Sequence, residues 1–141
     1  MDADTHPFLL ALQHATNAHD LDALVACFAA AYRNQTPVHP GRDFHGSEQV
    51  RANWREIFAF VPDVHSSVLR WADNGSDLWS EWEMSGTRRD GSQHLMRGVI
   101  IFGLEHGQAI SARFYLEPVD EDDRANVDAA IRKQVHAETS P

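Results

Sequence analysis

The chain has 141 residues, 43% of them hydrophobic, enough for one domain with a buried core. Its formal charge of −9 argues against a nucleic-acid partner, which needs clustered Lys and Arg, and no apolar run approaches the roughly 18 residues of a membrane span. Met1 to Pro7 has no basic stretch and is not expected to be a signal peptide, so a cytoplasmic setting is expected; the one cysteine, Cys27, cannot form an internal disulfide.

Pro7–Ala18 reads as a helix with Phe8, Leu9, Leu12 and Ala15 or Thr16 on one stripe, and Pro7 suits its first position. Asn17-Ala18-His19 breaks it, and Asp20 can cap a second short helix holding Leu21, Leu24, Val25 and Phe28. A strand is expected over Ala31–Thr36, then a polar loop, Pro37–Gly46. Ser47 can cap a third helix, Glu48–Phe60, with Val50, Trp54, Ile57 and Phe58 at helical spacing before Pro62 stops it. From there the pattern alternates. Strands are expected over Val64–Ala72, Leu78–Arg88, His94–Leu104 and Ala109–Leu116, joined by turns at Asp73–Ser76, Arg89–Ser92 and Glu105–Gln108. After the acidic run Asp120-Glu121-Asp122-Asp123, the spacing of Val127, Ile131 and Val135 predicts a terminal helix over Asp122–Ala137. Its acidic start and its Arg132, Lys133 and His136 complement the helix dipole. Helices gathered ahead of a meander give an α+β class, with helices on one face of a curved, mainly antiparallel sheet. Residues 1–141 read as one domain, with its core in 7–118 and the acidic segment and last helix in 119–138.

Three stretches, in order, carry a likeness to known proteins. They are Asn17-Ala18-His19-Asp20-Leu21-Asp22 followed by Phe28, then Gly46-Ser47-Glu48-Gln49-Val50-Arg51, then Gly107-Gln108-Ala109-Ile110 leading into Ala112-Arg113-Phe114-Tyr115. Over residues 8–118 the chain resembles the SnoaL-like, nuclear-transport-factor-2-like proteins. The resemblance implies a cone closing over an apolar pocket for a small hydrophobic molecule, and a homodimer paired through the outer sheet face. Such proteins include isomerases, dehydratases, epoxide hydrolases, polyketide cyclases and non-catalytic binders, so the fold does not name a reaction. Against ketosteroid isomerase, the Asp-Pro of the base is matched by Thr36-Pro37, and the two oxyanion donors by Leu12 and Ile100. None keeps its functional group. Against limonene-epoxide hydrolase, the Arg-x-Asp is matched by Glu81-Trp82-Glu83, the last-strand aspartate by Phe114, and the tyrosine and asparagine by positions near Asn34 and Thr36. Only the carboxylate of Glu83 survives.

Glu81 and Glu83 project to one face of their strand and Trp82 to the other. In the register implied by the resemblance, Trp79, Glu81, Glu83 and Ser85 point into the cone, with Met96, Gly98, Ile100 and Phe102 beside them and Ala112, Phe114 and Leu116 beyond. Two carboxylates in a dry pocket do not both ionise cheaply, so one would hold a proton, as acid/base work requires. Glu83 is then the base and Glu81 its proton-bearing partner. The outer face, with Trp82, Met84, Val99, Ile101 and Tyr115, would form the subunit interface. The plainer alternative inverts this. Leu78, Trp82 and Met84 make the more apolar face, and the glutamates are ordinary solvated strand residues.

Leu12, Asn34, Thr36 and Trp54 complete the expected lining, the small polar pair suited to holding a water or a carbonyl. Core packing explains Trp54 equally well. His14 is expected to face outward, and Cys27 to be a buried structural residue. A metal set of His39, Asp43 and His45 lacks a further histidine. No glycine-rich nucleotide loop or Cys-x-x-Cys is present, so neither cofactor nor metal is expected. Two functions remain open. One is a cofactor-free acid/base isomerase, dehydratase, cyclase or hydrolase; the other is a non-catalytic binder of a hydrophobic metabolite.

Overall fold

The structure, a computed structural model, describes residues 4–121 and 126–137. Helix α1 (Pro7–Asn17) starts with Pro7, and the ring of His6 accepts from the Phe8 amide (3.1 Å). It buries the expected stripe of Phe8, Leu9, Leu12, Ala15 and Thr16. Asp20 caps α2 (Leu21–Ala26) by accepting from the Ala23 amide (3.1 Å).

Strand β1 covers Phe28–Gln35, three residues ahead of its expected start at Ala31. Phe28-Ala29-Ala30-Ala31 has no strand character of its own. It extends because Phe28 pairs with Ala109 and the Ala109 amide donates to the Cys27 carbonyl (2.8 Å), tertiary pairing that overrides alanine's helical preference. A short β2 (Phe44–His45) lies inside the expected loop, which also holds a 3₁₀ turn over Pro40–Arg42. Helix α3 runs Ser47–Phe60, and its cap is Gly46 rather than Ser47. Gly46 turns the chain at φ 94° while its amide donates to the Tyr32 carbonyl (2.7 Å).

Four longer strands follow: β3 (His65–Asp73), β4 (Leu78–Thr87), β5 (Gln93–Glu105) and β6 (Gln108–Pro118). The order across the six-stranded sheet is β2-β1-β6-β5-β4-β3. All neighbours are antiparallel except β1 and β6, which run parallel. The last turn, at His106-Gly107, has positive φ at both residues (54° and 77°), as a two-residue hairpin connection demands. Helices α1 to α3 cover the inner sheet face, giving the α+β cone. Leu9, Leu24, Tyr32, Val68 and Phe102 form its most buried layer, with the rings of Phe8 and Phe102 edge-on at 4.9 Å.

The β3 edge is satisfied by side chains rather than by another strand. Gln13 Oε1 accepts from the Val68 amide (2.7 Å). Asn17 clamps Ser66, accepting from its amide (2.7 Å) and donating to its carbonyl (2.9 Å). His19 Nε2 bonds the Val64 carbonyl (2.9 Å) while its ring stacks on Phe58 at 4.7 Å. The Asn17-Ala18-His19 stretch behind the family likeness is therefore a structural brace.

Helix α4 (Val127–Ala137) is present within the expected terminal helix, and its Val127, Ile131 and Val135 are exposed. Residues 122–125 of that helix and acidic run, residue 138, and Met1–Ala3 of the amino-terminal reading lie outside the described residues. No helix among the described residues is long and apolar enough to cross a membrane.

Candidate functional site

Between α3 and the inner sheet face lies a cavity of about 360 Å³, within the size range of small-molecule sites. Phe28 of β1, Trp54 and Ile57 of α3, Met84 of β4, Met96 of β5, and Phe114 and Leu116 of β6 give it apolar walls. A smaller void of about 40 Å³ adjoins it and reaches Leu12, Trp82, Ile100 and Phe102. The two share Phe28, Trp54, Met84, Phe114 and Leu116 as common walls.

Polar groups enter at two places. Along β1, alternation brings Tyr32 and Asn34, then Thr36 just beyond the strand, to the inner face. The Tyr32 hydroxyl, its pKa pushed up by burial, donates to Asn34 Oδ1 (2.7 Å) and so fixes the orientation of that amide. Asn34 Nδ2 is left without a hydrogen-bond partner among the described residues, and so is the Thr36 hydroxyl. The Thr36 backbone is held from behind, its amide donating to Asp43 Oδ1 (2.7 Å).

Elsewhere in the lining stand Arg42, Asn53 and His94. Asn53 Oδ1 accepts from Gln49 Nε2 (2.8 Å), which leaves its own amide hydrogens unused. His94 is half-buried, and its Nε2 is a buried atom with no hydrogen-bond partner among the described residues. Burial, and secondarily the charge of Arg88, hold the His94 pKa below the ordinary histidine value. Its neutral form is thereby favoured.

The expected lining is only partly recovered. Asn34, Thr36, Trp54, Met96, Phe114 and Leu116 line the main cavity, and Leu12 and Ile100 the adjoining void. Trp79, Glu81 and Glu83 do not. The buried face of β4 is Leu78, Ser80, Trp82 and Met84, and Trp79 is 46% exposed. Thr87 pairs with Gln93, so the loop Arg88–Ser92 has an odd number of residues and Met84 faces Met96. The inward placement of the glutamates needed the register shifted by one, which reverses every side chain. Energetics agree with the observed choice. Outward, Glu81 accepts from Arg70 Nε (2.6 Å) and Glu83 from Arg97 Nε (2.8 Å), in contact with water. Inward, Trp82 Nε1 donates to Ser80 Oγ (2.9 Å), which donates to the Ile100 carbonyl (2.8 Å), so burial strands none of these polar groups. Trp82 and Met84 therefore belong to the core and not to a subunit interface. The outer face presents Trp79, Val99, Ile101 and Tyr115 instead.

His14 is exposed, as expected. His39, Asp43 and His45 do not converge: His39 pairs with Glu117 (3.0 Å), Asp43 holds the Thr36 amide, and His45 is exposed. Glu117 Oε2 is buried without a partner among the described residues. Cys27 is buried, and burial pushes its thiol pKa up. Sequence reasoning missed Tyr32, Arg42, Asn53 and His94. His94 was within reach, since it shares the alternation of Met96 and Ile100.

The profile of the SnoaL-like domain family matches residues 9–112, more than half of the chain, and the protein belongs to that family. Solved structures agree on the fold. A ketosteroid-isomerase-like protein from Catenulispora acidiphila DSM 44928, in complex with trimethylamine, superposes with a TM-score of 0.69 at 18% identity, over 79% of this chain and 87% of its own. IdmH from Streptomyces antibioticus, provisionally named a polyketide cyclase, gives 0.67 at 18% identity, over 78% and 89%. A SnoaL-like protein from Jannaschia sp. CCS1, also provisionally named a polyketide cyclase, gives 0.66 at 20%, over 81% and 90%. No curated protein sequence matches the chain.

Proposed function

We propose that the protein binds a small, largely apolar molecule in this cavity and orients one of its oxygens on Asn34 and Thr36. One observation carries the reading. Two buried polar side chains, Asn34 through Nδ2 and Thr36 through its hydroxyl, have no partner among the described residues and line an otherwise apolar space. Both residues are mostly buried, yet neither of these two atoms is sealed off, so each opens onto the cavity where a ligand oxygen can meet it.

The same arrangement supports cofactor-free acid/base chemistry as a second reading. A carbonyl held by fixed donors is polarised, and His94, kept neutral by its lowered pKa, is a lining group able to accept a proton. Isomerisation, dehydration, cyclisation and hydrolysis all fit, and the names of the two polyketide cyclases are in keeping with it. Glu81 and Glu83 have no place in this scheme, because they face away from the cavity. Pairing of two copies through the outer sheet face is part of the proposal, supported by Trp79, Val99, Ile101 and Tyr115 there. A cytoplasmic setting is part of it too, in line with the expectation from Met1 to Pro7.

Native mass spectrometry of the purified protein tests the first reading. A copurified small molecule is expected, retained by Glu83→Gln and lost when Leu116→Trp fills the cavity. A wild-type protein that carries nothing, and takes up none of a panel of two- and three-ring apolar compounds, would refute it. Conversion of the bound compound on long incubation selects the enzyme; an unchanged mass selects the binder.

A further inference from the structure

The charge on the cavity wall runs against the rest of the molecule. The chain carries 21 Asp and Glu and a net −9, yet among the described residues no carboxylate lines the cavity. The lining side chains that carry or can gain positive charge are Arg42 and His94. Arg51, Arg70 and Arg97 are each tied to a carboxylate, at 2.8, 2.6 and 2.8 Å. Arg42 has no ion pair or side-chain hydrogen bond among the described residues. His94 Nε2 is likewise unpartnered, and in the neutral ring that nitrogen can carry the hydrogen and donate it. Arg88 lends its field to His94 while its own guanidinium is engaged by Ser92 Oγ (3.1 Å) and the Gln93 carbonyl (2.5 Å), and part of its charge is felt by Asp90 in the same turn. On β6, Glu117 is taken up by His39 and does not line the cavity.

Unpaired cationic and donor groups beside an apolar chamber suit one kind of ligand. We propose that the cavity takes an apolar molecule that carries, besides the oxygen held by Asn34 and Thr36, an anionic oxygen group such as a carboxylate, with that group against Arg42 and His94 and the body directed toward Trp82 and Phe102. The proposal rests on the small-molecule reading above and narrows it. A neutral ligand would leave Arg42 unused, and a cationic one would face both Arg42 and the field of Arg88. A carboxylate gains a charge-assisted hydrogen bond that a neutral hydroxyl of the same shape cannot match.

Three probes of one shape separate the possibilities: 2-naphthoate, 2-naphthylmethanol and 2-naphthylmethylammonium, titrated by calorimetry at pH 7.5. The carboxylate is expected to bind at least about tenfold tighter than the alcohol, the usual scale of one hydrogen bond to a charged group, and the ammonium weakest. Arg42→Gln, at an exposed position, should bring the carboxylate to the alcohol's affinity and leave the alcohol unchanged. His94→Gln should weaken the carboxylate about threefold, the scale of a weaker neutral bond. Alcohol binding equal to or tighter than carboxylate binding would overturn the inference while the pocket stands. A carboxylate preference that survives Arg42→Gln would do the same. Failure of all three probes would take the small-molecule reading down with it.

Discussion

The α1–β3 brace and the cavity wall bury polar side chains to a similar degree and use them in opposite ways. Thr16 and Thr36 are 3% and 7% exposed. The Thr16 hydroxyl lies 2.6 Å from the Ser66 hydroxyl and 2.9 Å from the Gln13 carbonyl. The Thr36 hydroxyl has no such partner among the described residues. Gln13 and Asn17 likewise hold the β3 backbone and His19 the Val64 carbonyl just before it, whereas Asn34 Nδ2, Arg42 and His94 Nε2 hold nothing among the described residues. Burial alone therefore does not mark a functional polar group. What marks it is a hydrogen-bonding capacity that the fold leaves unspent.

The contrast is open to direct attack. Asn17→Ala removes the bonds to the Ser66 amide, carbonyl and hydroxyl and leaves two β3 backbone groups unpaired, so urea unfolding should show a loss of about 2–4 kcal/mol. A loss below about 1 kcal/mol would mean that water replaces the clamp, and the brace would no longer differ from the cavity wall.

The same substitution at the two threonines sharpens the point. Thr16→Val should cost about 1–2 kcal/mol by removing the 2.6 Å bond to the Ser66 hydroxyl, which keeps only a longer one to Asn17 Oδ1 (3.4 Å). Thr36→Val should leave stability within about 0.5 kcal/mol, or raise it, because the lost hydroxyl bonded nothing, while ligand binding weakens. Equal costs at both sites would erase the distinction.

The smallest effect concerns pH. The folded state holds His94 below its ordinary value of 6.5, so the folded protein binds that proton more weakly than the unfolded chain does. The associated stability is intact above about 6.5 and is lost as pH falls through the folded-state pKa. Melting curves at pH 7.5 and 5 should converge more closely in His94→Gln than in the wild type. An unchanged gap would show a ring in free contact with water.

Much of the fold was legible because local chemistry dictates it. Pro7, Asp20, the Pro62 stop, the strand alternation and the His106-Gly107 turn each act within a few residues. The start of β1 was not legible, because Phe28 is held by Ala109, a partner far along the chain. In the site, the apolar lining followed from alternation within β5 and β6, where Met96, Ile100, Phe114 and Leu116 alternate as written. The glutamates did not, since their side depends on whether the Arg88–Ser92 loop holds an odd or an even number of residues. The apolar look of Leu78, Trp82 and Met84 was the better guide there, and Ser80 beneath the Trp82 indole shows why that face can be dry. Arg42 and Asn53 gave no local cue, because a loop and a helix bring them to one wall only after the sheet has curved.

The parallel pairing of β1 with β6 also fixes an order of assembly. In a chain growing from its amino terminus, β1 emerges early but has only the two-residue β2 to pair with until β6 is complete at Pro118. Contacts spanning that much sequence carry the largest loop-closure cost and form late. The brace between α1 and β3 has all its parts once residue 68 is made, whereas Asn34 and Thr36 wait for nearly the whole polypeptide. The chamber is the last room of the house to receive its wall, so a partly synthesised chain is braced before it can hold any guest.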